Sequence, residues 1–263
     1  MIHPLDPAKV QQHLHHKVYT LNATPETAST NDDAKALAAH GAAQYTVIQA
    51  EYQTGGKGRL GRSFYSPRGT GLYFSILLRP EALPIEDTLF ITTAAAAAVA
   101  DAVESVCGKV CGIKWVNDLF MEGRKICGIL TEAAFRPDLK GLSYTVLGIG
   151  VNIAPPEGGF PEDLQHIANT IYDDPAALPA DLRERLLAAI LDRFYEYYIQ
   201  FPKKAFLEPY RSRSILTGKD VTVHRGSSQY PAHVVGIDDR CRLILEHDGQ
   251  QTLLDSGEVS IRF

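Results

Sequence analysis

A glycine-rich basic stretch, YQTGGKGRLGRSFYSPRGTG at residues 52–71, contains the side chains best suited to chemistry. The segment 52–80 has no Asp or Glu, and its basic residues are Lys57, Arg59, Arg62, Arg68 and Arg79. Because the whole chain has a formal charge of -5, this local excess of positive charge predicts an anionic ligand. The glycines would let backbone N–H groups approach the anion, and they suit a lid that becomes ordered on binding. A solvated basic loop without a ligand is the alternative.

Three glycines of this stretch have the spacing G-x-G-x-x-G of a dinucleotide-binding turn: Gly56, Gly58 and Gly61. Glu81 stands near the distance expected of the acid that binds the ribose. That fold also needs a helix that begins at the glycines. Residues 62–71 contain Pro67 and two glycines and have no apolar repeat at helical spacing, so they predict no helix. The stretch is therefore predicted to be another kind of anion-binding loop.

Further segments with polar or charged residues occur along the chain: STND (29–32), KWVND (114–118), RKICGILTE (124–132), GIGVN (148–152) and SGEVSIR (256–262). Taken in this order with the glycine-rich stretch, they resemble the motifs of biotin protein ligases. The order of the segments is far more specific than any single one, and the resemblance spans nearly the whole chain.

The resemblance implies an ATP-dependent reaction in two steps. The biotin carboxylate attacks the α-phosphate of ATP and gives biotinyl-5′-AMP and pyrophosphate. A lysine amine of a biotin carboxyl carrier protein then takes the biotin and releases AMP. By resemblance, Lys114 and Arg59 are the catalytic residues, and the mobile ammonium of Lys114 would neutralise the carboxylate and phosphate oxygens as charge develops between them. A surface lysine at a strand end is the alternative for Lys114.

Biotin has an uncharged ureido head and an apolar tail, so its pocket needs a few hydroxyl and amide partners inside an apolar slot. By resemblance, the predicted biotin-binding residues are Ser29, Thr30, Asn31, Gln53, Gly56, Lys57, Gly58, Arg59 and Lys114. The predicted adenylate-binding residues are Arg59, Arg62, Asn117, Lys125 and Asn152. Ser29 and Thr30 are also suited to cap a helix, and the two roles are compatible.

Magnesium is expected because ATP phosphates usually bring it, and Asp118 is a weakly indicated ligand. Asp118 could equally orient Lys114 or form an ordinary salt bridge. The chain departs from the family at two positions. Lys57 stands where the family usually has arginine. The lysine keeps the charge but lacks the planar, forked guanidinium, and this change is expected to weaken closure of the loop. Val116 replaces a proline, which only relaxes a turn.

The hydrophobic pattern places these motifs on a mixture of helices and strands. Ser29 and Thr30 begin a helix that ends at Gly41, and a strand at residues 45–51 leads into the glycine-rich loop. LYFSILL is continuously apolar, which predicts a strand buried on both faces. Residues 86–106 predict a long alanine-rich helix.

GIKWVNDLFM and RKICGILTEAAF follow as two strands of a hairpin joined by Glu122 and Gly123. YTVLGIGVNI is another strand, and PADLRERLLAAILDRFYEYYIQF is a strongly amphipathic helix. Helices and strands do not alternate strictly, which predicts an α+β fold with a mixed sheet flanked by helices. The resemblance implies the class II synthetase-like catalytic fold of biotin and lipoate ligases. Trp115 is predicted to pack in the core beside the site.

After Ser212 the pattern changes to five short strands separated by Gly, Asp and Ser turns, which predicts a small β-barrel. The resemblance implies that it is SH3-like. We predict a catalytic domain at residues 1–212 and a β domain at residues 213–263, and they should pack directly because no low-complexity linker separates them.

The composition excludes several classes of protein. A pI near 6.0 argues against a protein that binds duplex nucleic acid. Residues 1–28 are too few for a winged helix and are not basic, so we expect a ligase that does not bind DNA. The apolar run at residues 89–100 is too short for a membrane span, and no signal peptide is visible. We therefore expect a cytoplasmic protein without a membrane partner, and a homodimer is compatible with the sequence.

Cysteine and histidine usage gives little support for a bound metal. The cysteines, Cys107, Cys111, Cys127 and Cys241, show no C-x-x-C spacing, so free thiols in a reducing compartment are favoured. His13, His15 and His16 form a cluster, but nothing nearby supplies further ligands at a metal-binding spacing.

Two other functions remain open. A lipoate or octanoate ligase or transferase would share the fold, although GKGRLGR and SGEVSIR favour biotin. A non-catalytic module that binds biotin or an adenylate is the second alternative. Lys114 together with Arg59 argues against it, because storage needs no cation between a carboxylate and a phosphate.

Overall fold

The central element of the fold is a seven-stranded mixed sheet, seen in a computed structural model that describes residues 3–80, 83–136, 141–225 and 228–260. Glu81 and the last two residues of the SGEVSIR segment, Ile261 and Arg262, lie outside the described residues. The α-helices are α1 (Pro7–His13), α2 (Thr30–Ala39), α3 (Leu89–Cys107), α4 (Leu182–Tyr198) and α5 (Leu207–Ser212).

The strands of this first sheet are β1 (Thr20–Thr24), β2 (Thr46–Ala50), β3 (Gly71–Leu78), β4 (Gly112–Lys114), β5 (Asp118–Met121), β6 (Arg124–Phe135) and β7 (Leu142–Asn152). Their order across the sheet is β1-β2-β3-β7-β6-β5-β4. The β1 and β2 strands are parallel, and the other neighbouring strands are antiparallel. The prediction of a mixed sheet is confirmed.

Helices cover both faces of this sheet. Strand β3 is buried along its whole length, as its continuous apolar sequence predicts. Leu77 packs with Ala34 and Ala38 of α2, whereas its neighbours Ile76 and Leu78 belong to the larger core that contains α3 and α4. Successive side chains of a strand point to opposite faces, so the two cores lie on opposite sides of the sheet. This arrangement holds the N-terminal end of α2 against the middle of β3.

Helix α3 ends at Gly108, which has φ 64°, as predicted. It begins at Leu89, three residues later than expected. The N–H groups of Asp87 and Thr88 bond back to Pro84 and Ile85, so this part of the chain forms a 3₁₀ turn (Ile85–Asp87) instead. By length and composition α3 could cross a membrane, but 72% of its most apolar window is buried, as in the core helix of a globular domain.

The segment GIKWVNDLFM forms two strands and not the single strand predicted. Strands β4 and β5 pair with each other, so the chain must reverse between Lys114 and Asp118. Asn117 exchanges backbone hydrogen bonds with neither of them, and its carbonyl accepts from the Ile129 N–H on β6. Trp115 is buried and its indole donates to the Cys241 carbonyl at 2.8 Å, as expected of a core residue.

The N-terminal lead-in contains α1 and β1, which the sequence did not reveal. Only Val10 of α1 is buried, and β1 is an edge strand with mostly exposed side chains, so neither has a recognisable hydrophobic period. A buried ion pair helps to hold this region. Glu51 accepts hydrogen bonds from the Leu5 N–H at 2.9 Å and from Arg183 of α4 at 2.9 and 3.0 Å.

The C-terminal strands are β8 (Asp220–Arg225), β9 (Ser228–Ile237), β10 (Leu243–His247), β11 (Gln250–Leu254) and β12 (Glu258–Ser260). They form a five-stranded antiparallel sheet in the order β11-β10-β9-β8-β12, which confirms the predicted number of strands. Buried side chains of this sheet, such as Val234 and Leu245, continue the core of the first sheet. The two units pack directly, while the boundary at residue 212 stays a prediction. All four cysteines are free, and all but Cys107 are buried.

Candidate functional site

The start of α2 brings three predicted polar residues, Ser29, Thr30 and Asn31, into a buried position beside β3. Ser29 stands at the N-cap of α2 and its carbonyl accepts from the Asp33 N–H at 3.1 Å. Its side chain makes no capping hydrogen bond within the described residues. The prediction that the Ser29 side chain caps α2 is therefore wrong, while its contact with biotin stays a prediction.

Gln53 links the start of α2 to the glycine-rich loop. Its Oε1 accepts from the backbone N–H of Thr30 at 2.9 Å and lies 3.1 Å from the Thr30 hydroxyl. Its Nε2 donates to Ser66 Oγ at 2.9 Å, and Ser66 in turn donates to the carbonyl of Phe64. These contacts fix the amide of Gln53 at the base of the loop.

These residues line a narrow cleft, named here the hydroxyl cleft. Its lining residues are Ser29, Thr30, Asn31, Gln53, Lys57, Phe64, Phe74, Gly128, Leu130, Gly148, Ile149 and Gly150. Four of these residues supply hydroxyl or amide groups, Lys57 supplies one ammonium, and the rest of the wall is apolar or glycine. This is the composition expected of a pocket for an uncharged polar head with an apolar tail.

Glycines on β6 and β7 make the room for this cleft. A Cβ at Gly148 would lie 2.1 Å from Asn31 Oδ1, and one at Gly150 would lie 2.5 Å from the ring of Phe64. Gly150 is opposite Gly128 in the register of the two strands. Only glycine fits where Asn31 and Phe64 approach the sheet this closely.

The glycine-rich loop folds back on itself as an irregular hairpin. Isolated antiparallel bridges join Gln53 to Ser66 and Lys57 to Ser63. At the tip, residues Arg59–Gly61 form a single 3₁₀ turn in which Leu60 and Gly61 have positive φ angles of 55° and 75°. No helix begins at these glycines, which confirms that the stretch is not a dinucleotide-binding turn.

Residues at the tip of the loop line a second cleft, named here the cationic cleft. Its lining residues are Lys57, Gly58, Arg59, Arg62, Ser63, Phe64, Asn117, Asp118, Lys125, Gly128, Ile129, Leu130 and Glu258. The cationic cleft shares Lys57, Phe64, Gly128 and Leu130 with the hydroxyl cleft. The two clefts therefore adjoin, with the ring of Phe64 between them.

The predicted adenylate residues of the cationic cleft form one network. Arg59 donates to Asn117 Oδ1 at 2.9 Å, and Asn117 Nδ2 donates to Asp118 and to the Ile129 carbonyl, each at 2.9 Å. Asp118 also forms an ion pair with Lys125 at 2.8 Å. Of the roles considered for Asp118, the structure shows the salt bridge, and its partner is Lys125.

Lys114 ends β4 and is opposite Asp118 of β5 in the strand register. It is not among the residues that line the cationic cleft. Its Nζ lies 5.6 Å from the centre of the Phe120 ring. Burial lowers the pKa of Lys114 below the ordinary lysine value, and the neighbouring cations Lys125 and Arg62 lower it further. Asp118 and Glu258 oppose this shift. The ammonium is thus held in a partly dehydrated region with both acids and cations beside it.

The other loop cations each have a separate partner. Lys57 pairs with Asp32 of α2 at 2.6 Å, and Arg62 pairs with Glu258 of the second sheet. Arg68 pairs with Glu26 at 3.3 Å. The local excess of positive charge in the loop is therefore offset by acids from other parts of the fold.

Besides Lys114, two predicted residues are not lining residues of either cleft. Asn152 donates to the carbonyl of Asn169 at 3.1 Å, so its contact with an adenylate stays a prediction. Gly56 is buried under the loop, where a Cβ would lie 2.3 Å from the carbonyl of Phe64. Its role is to let the loop fold, and direct contact with biotin likewise stays a prediction.

Within the described residues, no group of three or more His, Cys, Asp or Glu side chains is suited to hold a metal. His15 faces Asp192 and His16 faces Glu196, so the histidine cluster is explained by pairing with α4. Asp118 offers a single carboxylate that is already bonded to Lys125. A magnesium ion could therefore not rely on a protein cage here.

Several site residues had not been identified from the sequence: Ser75, Glu132, Lys35, Phe64 and Glu258. Ser75 is the one polar residue of a buried strand, and that exception to the apolar pattern was the available signal. Glu132 ends the RKICGILTE segment but has no local feature that marks it.

Comparison with known proteins places this geometry in a family. The family described as "Biotin/lipoate A/B protein ligase family" matches residues 24–152, and "Biotin protein ligase C terminal domain" matches residues 217–262. A "Biotin--[acetyl-CoA-carboxylase] ligase" of Mycobacterium tuberculosis is 33% identical over 249 residues, which cover 91% of this chain and 88% of that protein. The chain belongs to the biotin protein ligase family. The predicted family, fold class and type of enzyme are therefore confirmed.

Other members of the biotin protein ligase family share this similarity. The "Bifunctional ligase/repressor BirA" of Bacillus spizizenii is 31% identical over 222 residues, and this chain spans 66% of its length. The structure "Biotin protein ligase from Aquifex aeolicus in complex with biotin and ATP" has a TM-score of 0.75 and 26% identity, covering 92% of this chain and 98% of that one.

Proposed function

We propose that the protein activates biotin with ATP to form biotinyl-5′-AMP and then transfers biotin to a lysine of a biotin carboxyl carrier protein. The junction of the two clefts carries this proposal. An uncharged hydroxyl and amide wall meets a cationic wall at Phe64, so one linear ligand can place a ureido head on one side and an acyl phosphate on the other. Biotinyl-adenylate has this distribution of polarity.

In the first step the residues of the cationic cleft bring two anions together. Arg59, Arg62 and Lys125 would hold phosphate oxygens while the biotin carboxylate bonds to the α-phosphorus and pyrophosphate leaves. Lys114 would stabilise the developing charge from the end of β4. Its position in a partly buried region strengthens its electrostatic effect because little water screens it.

In the second step the acceptor lysine amine attacks the biotinyl carbonyl carbon. An amide bond forms, the bond from that carbon to the phosphate oxygen breaks, and AMP leaves with the electron pair while the amine loses a proton. Arg59 and Asn117 would hold the departing AMP. The loop shields the mixed anhydride from water until the acceptor arrives.

Mg²⁺ would be carried in by the nucleotide, where it neutralises phosphate charge. Asp118 and Glu258 line the cationic cleft, and binding through Asp118 would require it to share its interaction with Lys125. A cytoplasmic location, a homodimer and the absence of a DNA or membrane partner remain predictions.

A lipoate or octanoate ligase is a weaker proposal. A dithiolane ring or an alkyl chain offers no N–H or C=O partner to the hydroxyl and amide groups that line the hydroxyl cleft, so it would make poor use of this polar wall. The match of residues 217–262 to the C-terminal domain of biotin protein ligases also favours biotin. A non-catalytic biotin-binding module would not need the cations of the cationic cleft.

Pyrophosphate exchange into ATP tests the proposal without an acceptor protein. We expect exchange that depends on biotin and Mg²⁺ and that lipoate or octanoate cannot support. A folded, magnesium-replete sample that exchanges with lipoate and not with biotin would reassign the substrate. Biotin binding without any exchange would favour the non-catalytic module.

A further inference from the structure

A chain of hydrogen bonds runs behind the hydroxyl cleft from a charged pair to the Thr30 hydroxyl. Lys35 Nζ donates to Glu132 Oε1 at 2.9 Å, and Asn31 Nδ2 donates to Glu132 Oε2 at 2.8 Å. Ser75 Oγ lies 2.6 Å from Asn31 Oδ1 and 2.7 Å from Thr30 Oγ1. The proposed reaction makes no use of Lys35, Glu132 or Ser75.

The chemistry of these groups permits one arrangement of protons. Burial alone would raise the pKa of Glu132, but hydrogen bonds from Lys35 and Asn31 lower it below its usual range, so the carboxylate is ionised and only accepts. Asn31 must therefore turn its NH₂ group to Glu132 and its oxygen to Ser75. Because that oxygen is only an acceptor, the single proton of Ser75 is committed to Asn31.

The contact between Ser75 and Thr30 then needs the proton of Thr30. Two hydroxyl oxygens 2.7 Å apart require one proton between them, and the Ser75 proton is already used. The Thr30 hydroxyl has two candidate acceptors, Ser75 Oγ at 2.7 Å and Gln53 Oε1 at 3.1 Å. The shorter contact takes its proton, because Gln53 Oε1 already accepts from the Thr30 backbone N–H. The remaining lone pair of the Thr30 hydroxyl is then free to accept a proton from a ligand in the cleft.

We propose that Glu132, acting through Asn31 and Ser75, is a positioning residue that makes the Thr30 hydroxyl a hydrogen-bond acceptor and so selects ligands with a ring N–H donor. This inference rests on the proposed function, because the ureido ring of biotin supplies such donors. The ion pair of Lys35 and Glu132 sets the donor and acceptor at each later hydrogen bond of the network, from Asn31 to Ser75 and from Ser75 to Thr30.

Glu132→Gln is expected to reverse the chain. Lys35 can only donate, so it attracts the oxygen of the substituted amide, whose NH₂ group then faces Asn31. Asn31 must turn its oxygen toward that group and its NH₂ group toward Ser75. The Ser75 proton is released toward Thr30, and the Thr30 proton turns away from Ser75 toward Gln53 and the cleft.

The test compares the binding of biotin with that of its two cyclic carbamate analogues, in each of which one ring N–H is replaced by oxygen. Isothermal titration calorimetry without ATP measures the affinity for each of these three ligands independently of catalysis. We expect the wild type to prefer biotin over the worse analogue by about 10- to 100-fold. In Glu132→Gln this ratio should fall to within about threefold, through weaker binding of biotin.

Rescue by a second substitution separates this role from a merely structural one. In Lys35→Met combined with Glu132→Gln, no cation attracts the amide oxygen, so the original direction can return and the preference should recover at least tenfold. Asp33→Asn is the matched control, because it removes a carboxylate from the same first turn of α2. It should keep the wild-type preference.

The outcomes separate the inference from the proposed function. Tight binding of biotin with an unchanged preference in Glu132→Gln overturns the inference and leaves the ligase proposal intact. Loss of preference that Lys35→Met does not rescue also overturns it, because Glu132 would then serve only to hold the fold. A wild type that binds neither biotin nor its analogues overturns both.

Discussion

Arg62 of the glycine-rich loop and Glu258 of the C-terminal sheet form a bidentate ion pair, with nitrogen to oxygen distances of 2.5 and 2.7 Å. Arg59 reaches the same sheet, where it donates to the Gly257 carbonyl at 3.3 Å. The second sheet therefore forms one wall of the cationic cleft and fixes the position of the loop over it. A protein without this sheet would have a loop with one side unsupported.

Glu258→Gln should loosen this wall without unfolding the protein. Arg62 is largely exposed, so the pair is worth at most about 1 kcal/mol, which corresponds to about fivefold in affinity. We expect the KM for ATP to rise by about two- to fivefold, while the affinity for biotin changes little. Steady-state pyrophosphate exchange measures the first quantity and calorimetry the second. Glu246→Gln on β10 is the control, and an equal effect there would show that overall charge is responsible.

Lys114→Ala should reduce adenylate formation far more than biotin binding. A cation that acts mainly on developing charge contributes about 10² to 10³ in rate, or about 3 to 4 kcal/mol. Single-turnover formation of biotinyl-5′-AMP gives the rate constant, and calorimetry gives the affinity. Equal losses in the two quantities would mean that Lys114 only holds the ground state.

The pH dependence of adenylation provides an independent test of Lys114. Its pKa is lowered mainly by burial, so it loses its proton at a lower pH than an ordinary lysine. The protonated form is the active one, so the rate should be maximal below this pKa and fall as pH rises through it. Lys114→Arg should remove the alkaline fall even if its rate is lower, because a guanidinium stays charged. An unchanged profile in that variant would assign the titration to another group.

The sequence was informative where a pattern extended over many residues and poor where one contact decided the structure. The buried strand β3 and the amphipathic helix α4 followed from apolar periodicity. Apolar periodicity did not reveal that β4 and β5 are separate strands. That division accompanies the hydrogen bond between the Asn117 carbonyl and the Ile129 N–H of β6. The pairing of Arg62 with Glu258 joins residues 196 positions apart, and no local signal predicts such a contact.

The candidate site shows the same contrast. Thr30 and Gln53 were identified because their segments resemble those of a family, and the structure brings them within hydrogen-bond distance. Ser75 and Glu132 were missed because their role depends on hydrogen bonds to Asn31, which lies far from both in the sequence. Lys114 is not among the residues that line the cationic cleft, but Asp118 and Lys125 of that cleft influence its pKa, so its catalytic role stays a prediction.

Gly148→Ala should disrupt the hydroxyl cleft, because the new Cβ would lie 2.1 Å from Asn31 Oδ1. Overpacking of this kind costs about 1 to 3 kcal/mol of stability, and displacement of Asn31 should weaken biotin binding by at least tenfold. Thermal unfolding and calorimetry measure the two effects. In the control Gly236→Ala, no heavy atom lies within 4 Å of the added Cβ. Biotin affinity equal to wild type in Gly148→Ala would show that Asn31 need not stay where it is.

Arg59→Gly should let the reactive adenylate escape from the site. Arg59 joins the tip of the loop to Asn117 and to the Gly257 carbonyl, so its loss removes both anchors and adds one more flexible residue. Lys114 and Lys125 remain, so biotinyl-5′-AMP should still form. Once released, the mixed anhydride would acylate exposed lysines of any nearby protein.

Two measurements together decide whether the loop works as a closing lid. Bystander protein incubated with biotin, ATP and either enzyme is blotted for biotin, and we expect labelling several-fold above wild type with Arg59→Gly. Limited trypsin digestion should cut the wild-type loop at Lys57, Arg59 or Arg62, and biotin with ATP should protect those sites because the ligand supplies the energy that orders the loop. Arg68→Gly is the matched control, since Arg68 pairs with Glu26 outside both clefts and should not increase labelling. Equal labelling by wild type and Arg59→Gly, with cleavage unaffected by ligand, would mean that the loop is a static part of the fold.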